Sequence, residues 1–144
     1  MAIYKKNKIL SSFSDDQILS HQSKHFLLEL YNCDSEKLND ESFLRCTLSR
    51  AAKLANATVL NLISNKFEPQ GVTAIALLAE SHISIHSWPE SNYSAVDIFT
   101  CGQNMQPELA SQYLIETLEA QEHSLRVIKR NPPFAVLKEI RTVI

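Results

Sequence analysis

The chain has 144 residues, of which 44% are hydrophobic and 21% charged, and its formal net charge is −2. This length favours a single domain that can bury its own core. The slightly acidic balance argues against nucleic acid as the main partner, because phosphate binding needs an excess of lysine and arginine. No apolar run approaches the length of a membrane span, so we expect no membrane partner.

The three cysteines, Cys33, Cys46 and Cys101, are odd in number and lack a C-x-x-C spacing. They therefore predict neither a disulfide framework nor a zinc site. The N-terminal residues include lysines but no long apolar core or small-residue cleavage site, so they do not form a convincing signal peptide. We expect a reduced, cytoplasmic protein.

Residues 1–24 are polar and lack sustained periodicity, which predicts a mobile N-terminal arm with one short helix around Asp15–Leu19. The domain is predicted over residues 25–131. It begins with the apolar run HFLLELYNC, 25–33, which predicts a strand. Residues 41–55 carry apolar side chains at helical spacing and predict a helix, with Asn39 or Asp40 as its cap.

The second half of the chain is rich in strand signals. Strands are predicted at 58–67, 72–79, 81–88 and 93–100, and again at 124–130. A second helix is predicted over 107–121, because proline stands at its first turn. Pro132 and Pro133 end the core and leave 132–144 as a C-terminal extension.

The predicted order is strand, helix, four strands, helix, strand. Consecutive strands with short links form antiparallel sheets, and two helices on one face then complete an α+β two-layer sandwich. The chain has only 2 glycines, which excludes a glycine-rich phosphate loop.

The segment AESHISIHSWPE, 79–90, places Glu80 and Ser81 at the start of a strand, followed by two histidines. A serine hydroxyl can attack the preceding carbonyl carbon when the peptide is strained and a donor stabilises the oxyanion. β-Elimination of the ester leaves dehydroalanine, which hydrolyses to a pyruvoyl group and ammonia. By residue type alone, however, Ser81 is more often a turn residue and His86 a sheet-surface residue.

Two other residue types in this region have alternative interpretations. His82 and His86 share one face of the predicted strand but lie about 13 Å apart, too far to bind one ion, so no metal site is predicted. Cys101, in DIFTCG, is by type alone a buried small hydrophobe. A thiol is also mostly protonated at neutral pH and can donate a proton to a carbanion.

AESHISIHSWPE followed by YSAVDIFTCG resembles the prokaryotic S-adenosylmethionine decarboxylases, pyruvoyl enzymes made as self-cleaving proenzymes. The resemblance runs from about His25 to Arg130 and includes HFLLELYNCD, ANATVL and FEPQGVTAIALLAESH. It implies cleavage between Glu80 and Ser81 into a β chain, 1–80, and an α chain, 81–144. Ser81 would become the pyruvoyl cofactor, which forms a Schiff base with the substrate amine.

The same resemblance implies roles for five further residues. His86 would serve processing as the base for β-elimination, and Thr73 stands where a serine hydroxyl usually assists the acyl shift. Cys101 would protonate the product carbanion. Phe67 would stack on adenine, and Glu90 would hold the ribose hydroxyls. The implied products are carbon dioxide and decarboxylated S-adenosylmethionine, the aminopropyl donor for spermidine and other polyamines.

Ser81 and His86 are five residues apart, so in a regular strand their side chains point to opposite faces. A bend in the strand or a second copy of the chain could bring them to one centre. The resemblance implies a homodimer with shared sites, in which Ser81 and Cys101 come from one protomer. The partner would supply Phe67, Thr73, His86 and Glu90.

Some positions depart from the family pattern. Ser23-Lys24 stand where the family usually has glycine shortly before the histidine that matches His25. Thr73 replaces a serine, and Ser87 replaces a threonine.

Two alternative functions remain open. One is a pyruvoyl-dependent arginine or ornithine decarboxylase on the same scaffold; Phe67 and Glu90 favour a nucleoside substrate instead. The other is a non-processing regulatory homologue. The presence of all four processing and catalytic residues argues against it: Glu80, Ser81, His86 and Cys101.

Overall fold

The computed structural model describes residues 23–130, which form six strands and three α-helices. In chain order the elements are β1 (Ser23–Tyr31), α1 (Ser35–Leu38), α2 (Glu41–Leu54), β2 (Val59–Lys66), β3 (Val72–Leu78), β4 (Ser81–Trp88), a 3₁₀ helix (Pro89–Ser91), β5 (Tyr93–Cys101), α3 (Pro107–Thr117) and β6 (Glu122–Arg130). The helix expected around Asp15–Leu19 and the extension 132–144 lie outside the described residues. No helix within 23–130 is long and apolar enough to cross a membrane.

All six strands form one antiparallel sheet in the order β2-β3-β4-β5-β1-β6. The four central strands of the sequence, β2 to β5, are neighbours in chain order, as predicted. Strand β1 does not pair with β2. It lies between β5 and β6, so the first strand of the chain is inserted between two late ones.

The hydrophobic core lies between one face of the sheet and the helices, which confirms the predicted α+β two-layer fold. Phe26 and Leu28 of β1 and Ile83 of β4 are fully buried on this face. Helix α2 buries Leu44 and Leu48, which lie one turn apart. Alternation along the strands and helical spacing along α2 thus bring the two apolar surfaces together.

The other face of the sheet, here called the open face, is covered by no helix within the described residues. It carries Thr73, Ile75, His82, His86, Asp97 and Phe99 in register across β3, β4 and β5. Apolar residues on it are half-exposed, including Ile63 at 57%, Leu77 at 51% and Trp88 at 42%.

The element boundaries differ from the prediction where the backbone turns. Strand β1 begins at Ser23, because Ser23 and Lys24 already pair with β5 and β6, and it ends before Asn32, where φ is +52°. Helix α2 begins after Asp40, whose carboxylate accepts the Phe43 N–H at 2.9 Å. Helix α3 ends at Thr117 rather than 121, because the chain reverses at Glu119 with φ +55°.

The short helix α1 was not predicted. Asp34 caps it by accepting the Lys37 N–H at 2.9 Å. Four residues are too few to show a helical repeat in the sequence, so the capping aspartate was its only signal.

Candidate active site

The Glu80–Ser81 peptide lies in the tight turn that joins β3 to β4. Leu78 pairs with Ser81, so only Ala79 and Glu80 form the loop. Ser81 has φ +148°, a region that residues with a Cβ rarely adopt. Such a conformation costs about 1–3 kcal/mol and is retained only where the surroundings enforce it. The backbone is therefore strained at the peptide bond singled out from the sequence.

The carbonyl of Glu80 is held in place by its neighbours. It accepts the Cys101 N–H at 2.9 Å. The Glu80 carboxylate accepts the Thr58 N–H at 3.0 Å, and Ala79 N–H donates to Thr58 O at 2.9 Å. A donor thus already points at the oxygen on which charge develops when the carbonyl carbon is attacked.

The Cys101 thiol lies at the end of β5 beside this turn. Its Sγ is 3.1 Å from Ser23 Oγ, and the two residues are partners in the β1–β5 register. Cys101 is exposed, unlike the buried hydrophobe that its type alone favours. Ser23, one of the departures from the family pattern, is thus a neighbour of the thiol that sequence analysis did not assign to the site. Ser23 precedes His25 by two residues, so the alternation of the strand would have placed both side chains on one face.

A cleft of about 350 Å³ lies at the other end of β3 and β4. Four residues predicted from the sequence line it together, namely Phe67, Thr73, His86 and Glu90. Thr73 Oγ1 and His86 Nδ1 are 2.9 Å apart and hydrogen-bonded. Phe67 is 49% exposed, so its ring is open to a ligand.

The wall of this cleft is tightly built. The Ser87 hydroxyl donates to Leu38 O at 2.7 Å and accepts the Val72 N–H at 2.9 Å. Gly71 has φ +100°, and a Cβ there would lie 3.0 Å from Ser87 O. Glycine is therefore required by both conformation and space.

Trp88 is a cleft residue that sequence analysis did not identify. It lines the cleft beside His86, with 6.4 Å between the ring centroids, and stacks on Tyr93 at 5.2 Å. It follows His86 by two residues in a strictly alternating strand, so the alternation already placed both on one face.

The structure places the Glu80–Ser81 peptide against the backbone of Cys101, and it groups His86 with Thr73, Phe67 and Glu90 in the cleft, but these two groups lie apart. Ser81 is in register with Leu78 and Thr100, on the helix-covered side, whereas His86 lies on the open face. Along a strand, five residues span about 16 Å. The two groups thus occupy opposite ends of β4 within one chain.

Other polar pairs lie on the open face. His25 Nε2 is 2.9 Å from an Asp97 carboxylate oxygen. Burial raises the pKa of Tyr93 above its usual range, and so does Glu29, which accepts a hydrogen bond from the Tyr93 hydroxyl.

Within residues 23–130, no group of three metal-ligating side chains is close enough to hold an ion.

Known proteins resemble this chain over most of its length. The family model of S-adenosylmethionine decarboxylase matches residues 24–131. The S-adenosylmethionine decarboxylase proenzyme of Synechococcus sp. (strain WH7803) is 60% identical over 119 residues, which cover 83% of this chain and 93% of the relative. That of Prochlorococcus marinus (strain MIT 9313) is 57% identical over 118 residues, covering 82% and 94%.

A solved structure matches as well. The adenosylmethionine decarboxylase from Aquifex aeolicus VF5 superposes with a TM-score of 0.73 at 35% identity, covering 78% of this chain and 93% of that one. The region matched by the family model, 24–131, contains both groups of residues described above. The chain therefore belongs to the S-adenosylmethionine decarboxylase family.

Proposed function

We propose that the chain is a self-cleaving, pyruvoyl-dependent decarboxylase of the cytoplasm. It converts S-adenosylmethionine into carbon dioxide and decarboxylated S-adenosylmethionine, the aminopropyl donor for spermidine and other polyamines. The observation that carries the proposal is the Glu80–Ser81 junction, where a strained serine follows a carbonyl that already accepts the Cys101 N–H.

Self-cleavage begins when Ser81 Oγ attacks the Glu80 carbonyl carbon. A C–O bond forms, the C–N bond breaks, and the hydroxyl proton passes to the departing nitrogen. The Cys101 N–H stabilises the oxyanion, and breaking the peptide bond releases the strain at Ser81. The product is an ester between Glu80 and the Ser81 side chain.

The second half of the cleavage is an elimination. A base removes the Ser81 α-proton, the Cβ–O bond breaks, and Glu80 leaves as a carboxylate. Water then converts the remaining dehydroalanine into a pyruvoyl group and ammonia. We assign the base to His86, because the hydrogen bond to Thr73 fixes the orientation of its ring.

The residues around Ser81 fit the pyruvoyl group. The group supplies an electrophilic ketone that accepts the electrons of the departing carboxylate, which no unmodified side chain provides. It would stand at the start of β4, next to the end of β5, which carries the exposed Cys101 thiol. Cys101 can deliver a proton there, and the Ser23 hydroxyl at 3.1 Å holds its sulfur in place.

The cleft supports a nucleoside substrate rather than arginine or ornithine. The half-exposed Phe67 ring offers a face for adenine, and Glu90 offers a carboxylate to the ribose hydroxyls. An aromatic face also attracts a sulfonium cation, by about 0.5–2 kcal/mol. Arginine and ornithine lack the adenine ring and the ribose hydroxyls that these two side chains would bind.

We propose further that the active site is shared between the protomers of a homodimer. Ser81 and Cys101 lie at one end of β4 and the cleft lies at the other, so one chain supplies only half of the groups. The exposed apolar residues of the open face, such as Ile63 and Leu77, suit packing against a second copy.

The first test is the intact mass of the purified protein under denaturing conditions. We expect two chains split between Glu80 and Ser81, with the C-terminal one lighter by one ammonia than simple hydrolysis predicts. Release of carbon dioxide from S-adenosylmethionine, arginine and ornithine then identifies the substrate. A single full-length chain after long incubation would instead support the non-processing regulatory homologue.

The second test addresses the shared site. Ser81→Ala and His86→Ala proteins should each be inactive alone. In heterodimers made by co-expression and verified by native mass, the His86→Ala chain should cleave, because it keeps Ser81 and borrows the partner's intact histidine. Absence of cleavage in verified heterodimers would contradict a shared site.

A further inference from the structure

Thr100, the residue before Cys101 near the end of β5, carries a buried hydroxyl without a hydrogen-bond partner. The residue is 3% exposed. Its Oγ1 is the only buried side-chain nitrogen or oxygen within residues 23–130 that has no hydrogen-bond partner. Buried polar groups are almost always paired, and an unpaired hydroxyl destabilises a fold. The unpaired Thr100 hydroxyl therefore points to a role outside the resting structure.

The register places this hydroxyl opposite the reacting serine. Thr100 of β5 pairs with Ser81 of β4. Cys101 N–H donates to Glu80 O, so Glu80 and Cys101 form a hydrogen-bonded pair of the antiparallel ladder. Because the two kinds of pair alternate, Ser81 and Thr100 form a non-hydrogen-bonded pair. In such pairs the Cα atoms are about 4.5 Å apart and the side chains are closest.

In regular strands, two hydroxyls in such a pair can reach each other by side-chain rotation. Serine and threonine commonly hydrogen-bond across antiparallel strands at this separation. A free serine side chain, by contrast, is distributed over three staggered rotamers, not all of which can direct its oxygen at the preceding carbonyl.

We propose that Thr100 is a positioning residue for self-cleavage. Its hydroxyl accepts a hydrogen bond from the Ser81 hydroxyl and holds Oγ within reach of the Glu80 carbonyl carbon. The acyl shift then proceeds as described, with the C–O bond forming, the C–N bond breaking and the hydroxyl proton passing to nitrogen. The inference rests on the proposed self-cleavage and adds a residue to it.

The proposed role ends with cleavage, because the Ser81 hydroxyl no longer exists in the mature enzyme. Loss of the Thr100 hydroxyl should therefore slow processing but leave turnover per cleaved chain unchanged. A residue needed for substrate binding or for decarboxylation would change turnover as well.

The test compares Thr100→Val, which has nearly the same shape without the hydroxyl, with Thr100→Ser, which keeps it. Thr47→Val, a buried threonine of α2 away from the site, is the matched control. Full-length chains are made by cell-free synthesis, and cleavage is followed by intact mass in denatured samples taken over time. Melting temperatures and the turnover of S-adenosylmethionine per cleaved chain are measured on the products.

We expect Thr100→Val to cleave about tenfold more slowly, the effect of one lost hydrogen bond in the transition state. Thr100→Ser and Thr47→Val should cleave at close to the wild-type rate. The Thr100→Val protein should melt no lower than the wild type, because the removed hydroxyl was unpaired. Turnover per cleaved chain should match the wild type.

Three results would overturn the inference. These are wild-type cleavage by Thr100→Val, cleavage by Thr100→Ser as slow as by Thr100→Val, or a lower melting temperature that accounts for the slow cleavage. Failure of the wild-type chain itself to cleave would defeat the proposed function, and this inference with it.

Discussion

The two ends of strand β4 are built in opposite ways. At its start, Ser81 has a positive φ and Thr100 beside it has an unpaired hydroxyl. At its far end, the Ser87 hydroxyl bonds two backbone groups and Gly71 packs against the same residue. The bond that must break thus lies where the structure is strained. The side chains that must keep their geometry lie where the backbone hydrogen bonds are satisfied and the packing is tight.

The strongest test of this difference between the two ends is to remove a side chain from the far end of β4, where the hydrogen bonds are satisfied. His86→Ala should stall processing at the ester and slow pyruvoyl formation by about 10²–10⁴-fold, the usual contribution of a general base. Hydroxylamine, which cleaves esters, should then split the accumulated chain at Glu80–Ser81, as mass spectrometry would show.

His82→Ala is the matched control for this variant. His82 lies on the same face of the same strand and packs on Phe99, with 5.8 Å between the ring centroids. It should process at close to the wild-type rate. Equal stalling in both variants would contradict the assignment of His86 as the base.

A smaller effect is expected at the mouth of the cleft. Glu90→Gln should raise KM for S-adenosylmethionine about tenfold while cleavage proceeds normally, because a charge-assisted hydrogen bond to the ribose is weakened. Steady-state kinetics on fully cleaved protein measures this, with Glu36→Gln, at an exposed position of α1, as control. Normal KM with impaired cleavage would place Glu90 in processing instead.

The hydrogen bond between Thr73 and His86 should have a more modest influence. Thr73→Val removes the hydroxyl that orients the His86 ring at 2.9 Å and should slow cleavage about three- to tenfold. Thr73→Ser restores the hydroxyl and should cleave at least as fast as the wild type. If the serine variant is as slow as the valine variant, the methyl group rather than the hydroxyl matters.

The smallest expected effect is on the free energy of unfolding and concerns Cys33, which lies near the far end of β4. Its N–H donates to Asn92 O at 2.9 Å. Burial raises the pKa of the Cys33 thiol to about 11. In the unfolded chain a thiol ionises near pH 8.5. Above that pH the unfolded chain therefore binds fewer protons than the folded one, and stability falls as pH rises toward 11.

Urea denaturation between pH 7.5 and 10.5 measures this loss. Cys33→Ala should reduce the dependence on pH, whereas Cys46→Ser, at an exposed position, should leave it unchanged. An unchanged slope in Cys33→Ala would assign the effect to other groups.

Much of this architecture could be predicted from local patterns. Alternation in SHISIHSW predicted β4, and the capping position before α2 was narrowed to Asn39 or Asp40, of which Asp40 is the cap. The insertion of β1 between β5 and β6 could not be predicted, because strand order depends on contacts far apart in sequence.

The candidate site was also predictable only in part, because some of its features have a signal in the sequence and others depend on the folded structure. The residues of the cleft follow from the family motifs, and their convergence follows from the β3–β4 register. The positive φ of Ser81 has no local signal, since a glycine would normally mark it. The unpaired Thr100 hydroxyl depends on packing from several elements, and no residue pattern reports it.

The sheet order also determines what maturation does to the folded molecule. Cleavage between Glu80 and Ser81 would leave β1, β2 and β3 on one product and β4, β5 and β6 on the other. Since β1 lies between β5 and β6, the two products are interleaved, and neither can dissociate without breaking the sheet. Unfolding would then release two molecules, so apparent stability would depend on concentration and refolding would require an encounter. Maturation would thus convert a fold that one chain can form by itself into one that two chains must meet to form again.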